Sequence, residues 1–125
     1  MKSDNENIIV VKSKAFALRS IKLYRYLVQE EHEYVISKQF LRSATSIGAN
    51  VKEAIRGQTD ADFGTKMNIS LKEASETEYW LELMHESGYI SFEKGEEMLA
   101  DCRELIKILT AIVRTTYYNK DNKTK

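Results

Sequence analysis

Apolar positions recur at spacings of three and four along most of this chain, the repeat of one face of an α-helix. Punctuation divides the pattern into four segments. The first spans about 6–31, with Ser13 as a later alternative start. Its apolar residues include Val11, Ala15, Phe16, Leu18, Ile21, Leu23, Tyr24, Leu27 and Val28. They cover more than half the circumference, and a helix with one neighbour needs only a stripe, so two buried faces are expected. The polar pair His32–Glu33 marks the turn. The second segment spans 37–56, with Ser37 as N-cap and Gly57 at a left-handed C′ position. Its seam is Phe40, Ala44, Ile47, Val51 and Ala54, flanked by the small residues Ser43, Thr45, Ser46, Gly48 and Ala49. Small residues let a neighbouring backbone approach closely, at a local cost from Gly48 of about 1 kcal/mol in helix propensity.

The third segment, 60–87, opens behind Thr59 or Asp60 and carries Phe63, Met67, Leu71, Ala74, Leu81 and Met84 on one face. It ends at Ser87–Gly88. The fourth, 91–118, is capped by Ser91, with Glu93 in its first turn. Its seam is the cleanest in the chain: Met98, Cys102, Leu105, Leu109 and Ile112, flanked by Leu99, Ile106 and Val113. The polar tail 119–125 is expected to fray. Four helices with short connections predict an all-α, antiparallel up-down-up-down four-helix bundle. With 125 residues, no proline and five glycines, one domain spanning 1–125 is expected, and multi-turn β architectures are disfavoured.

Charge narrows the possible functions. Nineteen basic and nineteen acidic side chains cancel, so no bulk polycation announces a nucleic-acid partner. The distribution is uneven. Residues 61–90 hold two basic side chains (Lys66, Lys72) against six acidic ones, whereas 36–60 hold four basic against two acidic. Basic and acidic faces can therefore coexist in a neutral chain. The single cysteine, Cys102, excludes an intrachain disulfide and a cysteine-based zinc cluster. No apolar run approaches the roughly 20 residues of a membrane span, so no membrane partner is expected. The N-terminus lacks a secretory pattern, and a cytoplasmic location is the expectation.

Candidate chemistry is sparse. Arg42, Ser46, Asn50 and Glu53 form a polar stripe on the second helix, and Glu73 and Glu76 lie on the third. In an antiparallel hairpin these sets can meet, with Arg42 bonding a carboxylate bidentately and Asn50 bridging to backbone or side chain. The expected role is structural: a network that sets helix register or lies at a subunit interface. Glu82-x-x-His85 is half of a di-iron carboxylate motif, but the only other histidine, His32, has Gln29 three residues before it. His85 reads instead as a capping or surface histidine near its helix end. No catalytic residues, metal ligands or cofactor are assigned, and no enzyme activity is expected. Cys102, in an apolar seam, reads as inert packing.

Basic residues are the best functional lead. Arg103, Lys107 and Arg114 lie within about 40° of one another on the fourth helix, and Lys14, Lys22 and Arg25 cluster on the first. The tail adds Lys120, Lys123 and Lys125. Three cations on a monomer are ordinarily solvated surface, but repetition in an oligomer makes multivalent phosphate contact feasible. Tyr79 and Trp80 are adjacent and point about 100° apart, so they cannot both face one intrachain core. One of them is expected to pack against another subunit.

VISKQFLRSATSIGANVKEAIRGQ, followed by KEASETEYWLELMHESGYIS, resembles the small bacterial four-helix-bundle family of 23S rRNA-intervening sequence proteins. That family is also labelled S23 ribosomal protein. The likeness extends through KSKAFALRSIKLYRYL and DCRELIKILTAIVRTT, and so covers nearly the whole chain. The resemblance implies an antiparallel four-helix bundle and a ring-like homopentamer. Accessory proteins of diversity-generating retroelements, similar in fold, bind nucleic acid and a reverse transcriptase. The expected function is therefore a non-enzymatic homo-oligomer that binds RNA or DNA through repeated basic surfaces, with a nucleic-acid-processing protein as a further partner. The alternative is a structural or protein-binding adaptor without nucleic-acid affinity.

Overall fold

The four seams become four helices: α1 (Asp4–Gln29), α2 (Ile36–Ile55), α3 (Asp60–Glu86) and α4 (Phe92–Thr124). The computed structural model describes residues 4–124, with side chains from 5 to 118. Helix α4 continues past 118 through the tail expected to fray, for no glycine or proline follows Tyr118 to stop it. Its side chains there, Lys120 and Lys123 included, and all of Lys125 lie outside the described residues.

Register follows from the cross-helix partners. Arg42 meets Glu73 and Glu76, Ser43 meets Thr77, Ser70 meets Ile47, and Glu53 meets Lys66. Numbers fall along α3 as they rise along α2, so the pair runs antiparallel. The same reversal holds between α3 and α4 (Ala74 with Cys102, His85 with Glu96) and between α1 and α4 (Lys12 with Glu104, Arg19 with Asp101). Consecutive helices pack side by side, and α4 closes the ring against α1, more sparingly than α1 packs on α2. The result is an up-down-up-down bundle.

Every residue of the α2 seam and of the α4 seam is buried, as are Met67, Ala74, Leu81 and Met84 of α3. Each large side chain so buried contributes about 1.5–3 kcal/mol relative to exposure. On α1 only one face is fully covered: Ile9, Ser13, Phe16, Ser20, Leu23 and Leu27. The expected second buried face is not closed among the described residues. Val11 and Leu18 remain 68% and 59% exposed.

The ends of the helices follow the local chemistry, with two departures. Thr59 accepts the Asp62 N–H at 3.0 Å, and Ser91 accepts that of Lys94 at 3.2 Å, so both are N-caps as expected. Gly88 adopts φ +85°, the left-handed stop expected there. Ser37, however, lies inside α2, and the cap is the buried carboxylate of Glu33. It accepts from the N–H groups of Val35 (3.0 Å), Ile36 (2.8 Å) and Ser37 (2.6 Å). Burial alone would raise the Glu33 pKa, but these backbone hydrogen bonds outweigh it and hold the carboxyl below its ordinary value. Gly57 is not left-handed; Arg56 caps α2 at φ −92°, ψ 0°. The surroundings of Gly57 are tight instead: a Cβ there would stand 3.2 Å from both Ala54 O and Asp62 Cβ.

Candidate nucleic-acid interface and the polar seam

Between α2 and α3 the polar stripe splits into separate roles. Arg42 reaches the α3 carboxylates as predicted, and it does so as a fork, while Glu53 at the other end of the stripe faces Lys66 at 3.8 Å. Nη1 donates to Glu73 at 3.2 Å and Nη2 donates to Glu76, while Nε donates to Gln39 at 3.3 Å. The expected bidentate grip on one carboxylate is replaced by one N–H on each of two. Glu76 also accepts from Trp80 Nε1 at 2.9 Å, which ties the indole into the network. Ser46 and Asn50 turn back on their own helix: Ser46 Oγ donates to Arg42 O at 2.7 Å and Asn50 Nδ2 donates to Ser46 O at 2.8 Å. A helix carbonyl one turn back is nearer to these short side chains than anything on α3. They therefore contribute nothing to the α2–α3 register.

Beneath the stripe, buried hydroxyls join the two helices. Thr77 Oγ1 lies 2.8 Å from Ser43 Oγ, and Ser70 Oγ donates to Ile47 O at 2.8 Å. Ser43, Ser70 and Thr77 are all fully buried. Ser70 and Thr77 occupy the turns of α3 between Met67, Ala74 and Leu81 that an apolar count leaves blank, and Ser43 lies opposite on α2. The signal was the 3–4 spacing itself, continued through small hydroxyl residues. On the α4 side, Cys102 Sγ donates to Ala74 O at 3.3 Å, and burial pushes the thiol up to about 12, consistent with inert packing.

Trp80 is half-buried and packs on the core, whereas Tyr79 is 53% exposed, with its ring 5.3 Å from the indole. His85 is not a surface residue. Its side chain is largely buried against Gly95 of α4, Nε2 lies 3.5 Å from Glu96, and the ring stacks on Phe92 at 5.2 Å. Among the described residues, no three His, Cys, Asp or Glu side chains come together in a way that would hold a metal.

The basic residues divide sharply by environment. From Asn7 to Gln29, α1 carries five basic side chains and no acidic one. Lys12 and Arg19 turn toward α4, where Glu104 (2.9 Å) and Asp101 (3.0 Å) match their charge. Lys14, Lys22 and Arg25 are exposed and have no ion-pair partner among the described residues. At 100° per residue they fall, with Val11 and Leu18, in an arc of about 80° opposite the buried face. On α4 the expected triad comes apart. Arg103 donates to Glu78 at 2.8 Å and lies 3.6 Å from Glu82, and the Glu78 hydrogen bond raises its pKa above the ordinary value. Lys107 and Arg114 remain exposed and without an ion-pair partner among the described residues. Neighbouring acids of α4 are engaged elsewhere: Glu96 with His85, Glu97 with Lys94 and Glu104 with Lys12.

Fold and surface thus define a four-helix bundle whose polar residues mostly hold helices together. The family model of the 23S rRNA-intervening sequence protein matches residues 5–111, and the chain belongs to that family. A crystal structure of a protein of unknown function from the S23 ribosomal protein family of Bacteroides thetaiotaomicron is similar throughout. It shares 50% identity, covers 88% of this chain and 98% of its own, and superposes with a TM-score of 0.86. Among curated proteins nothing matches. No described helix is long and apolar enough to cross a membrane.

Proposed function

We propose that this chain is a non-enzymatic, self-associating helical bundle that binds RNA or DNA through basic ridges repeated in the assembly, with five copies as the family resemblance implies. The observation that carries the reading is the α1 ridge: Lys14, Lys22 and Arg25 point outward from a stretch with no acidic residue to neutralise them. Lys107 and Arg114 supply a second, smaller group on α4. Arg103, its charge matched by Glu78 and Glu82, contributes through the fold rather than through phosphate contact. Three cations are weak on one copy, and their effect multiplies when copies engage one polyanion together.

The test is binding to a structured RNA and a DNA duplex across a salt series. Affinity should fall steeply from low to moderate salt, with each phosphate contact adding roughly 0.7–0.9 to the log–log slope. Absence of binding at low ionic strength would overturn the reading. A second reading, a protein-binding adaptor, is favoured by one observation. Tyr34, Val35 and Phe92 stand 57%, 75% and 71% exposed at the bundle end that carries the α1–α2 and α3–α4 turns. Self-association is tested separately, by sedimentation. A stable 14.5 kDa monomer would remove it from the proposal.

A further inference from the structure

The turn between α2 and α3 borders an open surface hollow of about 540 Å³. Ala49, Lys52, Glu53, Arg56, Asp62 and Lys66 line it, together with Gly57 and Gln58 of the turn. Lys66 leans toward Glu53 at 3.8 Å, whereas Lys52 and Arg56 have no carboxylate within ion-pair distance among the described residues. Two cations without an ion-pair partner, one of them a planar guanidinium suited to bidentate contact, therefore face a concave space at the C-terminal end of α2. Ala49 contributes only a methyl group, which leaves the space open.

We infer that this hollow binds a phosphate monoester carried on a hydroxylated frame, as in a sugar phosphate or the 5′-phosphorylated end of a nucleic acid. Volume and charge together select that class. A phosphate ion alone would occupy a small part of the hollow, and the remainder is of the size that holds small organic ligands. The phosphate meets Lys52 and Arg56. The carboxylates of Glu53 and Asp62, acceptors only when ionised, are placed to receive hydrogen bonds from sugar hydroxyls. Charged side chains rim the space, which favours a polar ligand over an apolar one. The site does not depend on the α1 ridge, since its lining comes wholly from residues 49–66.

The test is a titration of the full chain with ribose 5-phosphate, followed by amide NMR shifts and calorimetry, with ribose and inorganic phosphate as comparisons. Ribose 5-phosphate should saturate at roughly millimolar concentration, the range reached by good ligands of its size, and move the amides of Gly57 and Gln58. The double variant Lys52→Gln/Arg56→Gln should bind about tenfold or more weakly, losing one charge-assisted contact per substitution. Both positions are exposed, so circular dichroism should confirm an unchanged fold. Competition by a 5′-phosphorylated trinucleotide, but not its 5′-hydroxyl form, identifies a nucleic-acid end as a source. Without that competition the free sugar phosphate is the source, and the site stands in either case. The inference is overturned if ribose 5-phosphate produces no saturable shift, if inorganic phosphate binds equally well, or if the double variant binds as tightly as the parent. Charge reversal of Lys22 and Arg25 should leave this titration unchanged, so failure here and failure of the proposed function are separable.

Discussion

The imidazole of His85 stands where a side chain on Gly95 would have to be. A Cβ built on Gly95 falls 2.1 Å from His85 Nδ1 and 2.5 Å from its Cγ, and the Phe92 ring lies against the same imidazole, centroids 5.2 Å apart. Glycine is normally a defect inside a helix, worth about 1 kcal/mol against alanine. Here it is what lets α3 and α4 meet near their shared turn. Gly95→Ala should therefore lower stability by about 1–3 kcal/mol despite its better helix propensity, because the ring has to leave its buried position. Gly48 is the internal control. A Cβ there would meet Ser13 at 3.4–3.6 Å, ordinary contact, so Gly48→Ala should be neutral or stabilising by up to about 1 kcal/mol. Urea unfolding of the two variants beside the parent decides both.

The contrast between these glycines shows what can be read from the sequence. Seams of one helix were legible because burial of apolar side chains at 3–4 spacing is a property of that helix alone. This is why Phe40 through Ala54 and Met98 through Ile112 are all buried as expected. Pairings between helices were legible only where long side chains of opposite charge stood at matching heights, as with Arg42 and Glu73. Which glycine faces a ring, which serine turns back on its own carbonyl, and which arginine is neutralised by a neighbour depend on side-chain directions that no spacing specifies. Gly48 sits among small residues, yet of these two glycines it is Gly95 that is under steric demand. Arg103 looked like its neighbours Lys107 and Arg114 because a one-helix projection cannot see Glu78 across the groove.

Glu33 makes the N-terminus of α2 sensitive to acid. Its carboxyl titrates below the ordinary 4.5 in the folded chain, since three backbone N–H groups bond to the charged form. A depressed folded pKa contributes stability that is fully present above the unfolded value and is lost as pH falls through the folded one. Thermal midpoints should therefore hold from neutral pH down to about 4.5 as far as this group is concerned, then decline. Glu33→Gln should cost about 1–2 kcal/mol at pH 7, the range of a lost helix cap with charged hydrogen bonds. The gap between parent and variant should close in acid. A gap that persists undiminished at pH 3 would mean that Glu33 acts through packing and not through its charge.

Arg42 tests whether the α2–α3 polar network serves the chain or the assembly. Its side chain is 48% exposed, and exposed ion pairs are typically worth about 0–1 kcal/mol. Arg42→Met keeps much of the aliphatic stem and removes both carboxylate contacts. If the network serves one chain only, unfolding should shift by less than about 1 kcal/mol and sedimentation should not change. If the same face, with the exposed Tyr79 beside it, packs on another copy, the variant should dissociate the assembly at concentrations where the parent remains associated. We expect the second outcome, because Trp80 is held from within by Glu76 while Tyr79 beside it is left uncovered.

The two classes of basic residue give the sharpest prediction. Lys22 and Arg25 project from α1 without carboxylate partners among the described residues, while Arg103 is clasped by Glu78 and Glu82. Reversing a free cation removes one phosphate contact and adds a repulsive charge, and it leaves the fold untouched. Lys22→Glu/Arg25→Glu should therefore weaken RNA or DNA binding by at least tenfold at low salt and flatten the salt dependence by roughly one to two contacts' worth of slope. Unfolding should be nearly unchanged. Arg103→Glu should do the reverse: it sets three carboxylates against one another across the α3–α4 groove, so stability falls while any loss of nucleic-acid affinity follows the unfolded fraction. Comparing both variants at a temperature where each is fully folded separates the effects. If the α1 double variant keeps its affinity while Arg103→Glu, still folded, loses it, then α4 rather than α1 is the phosphate-facing ridge.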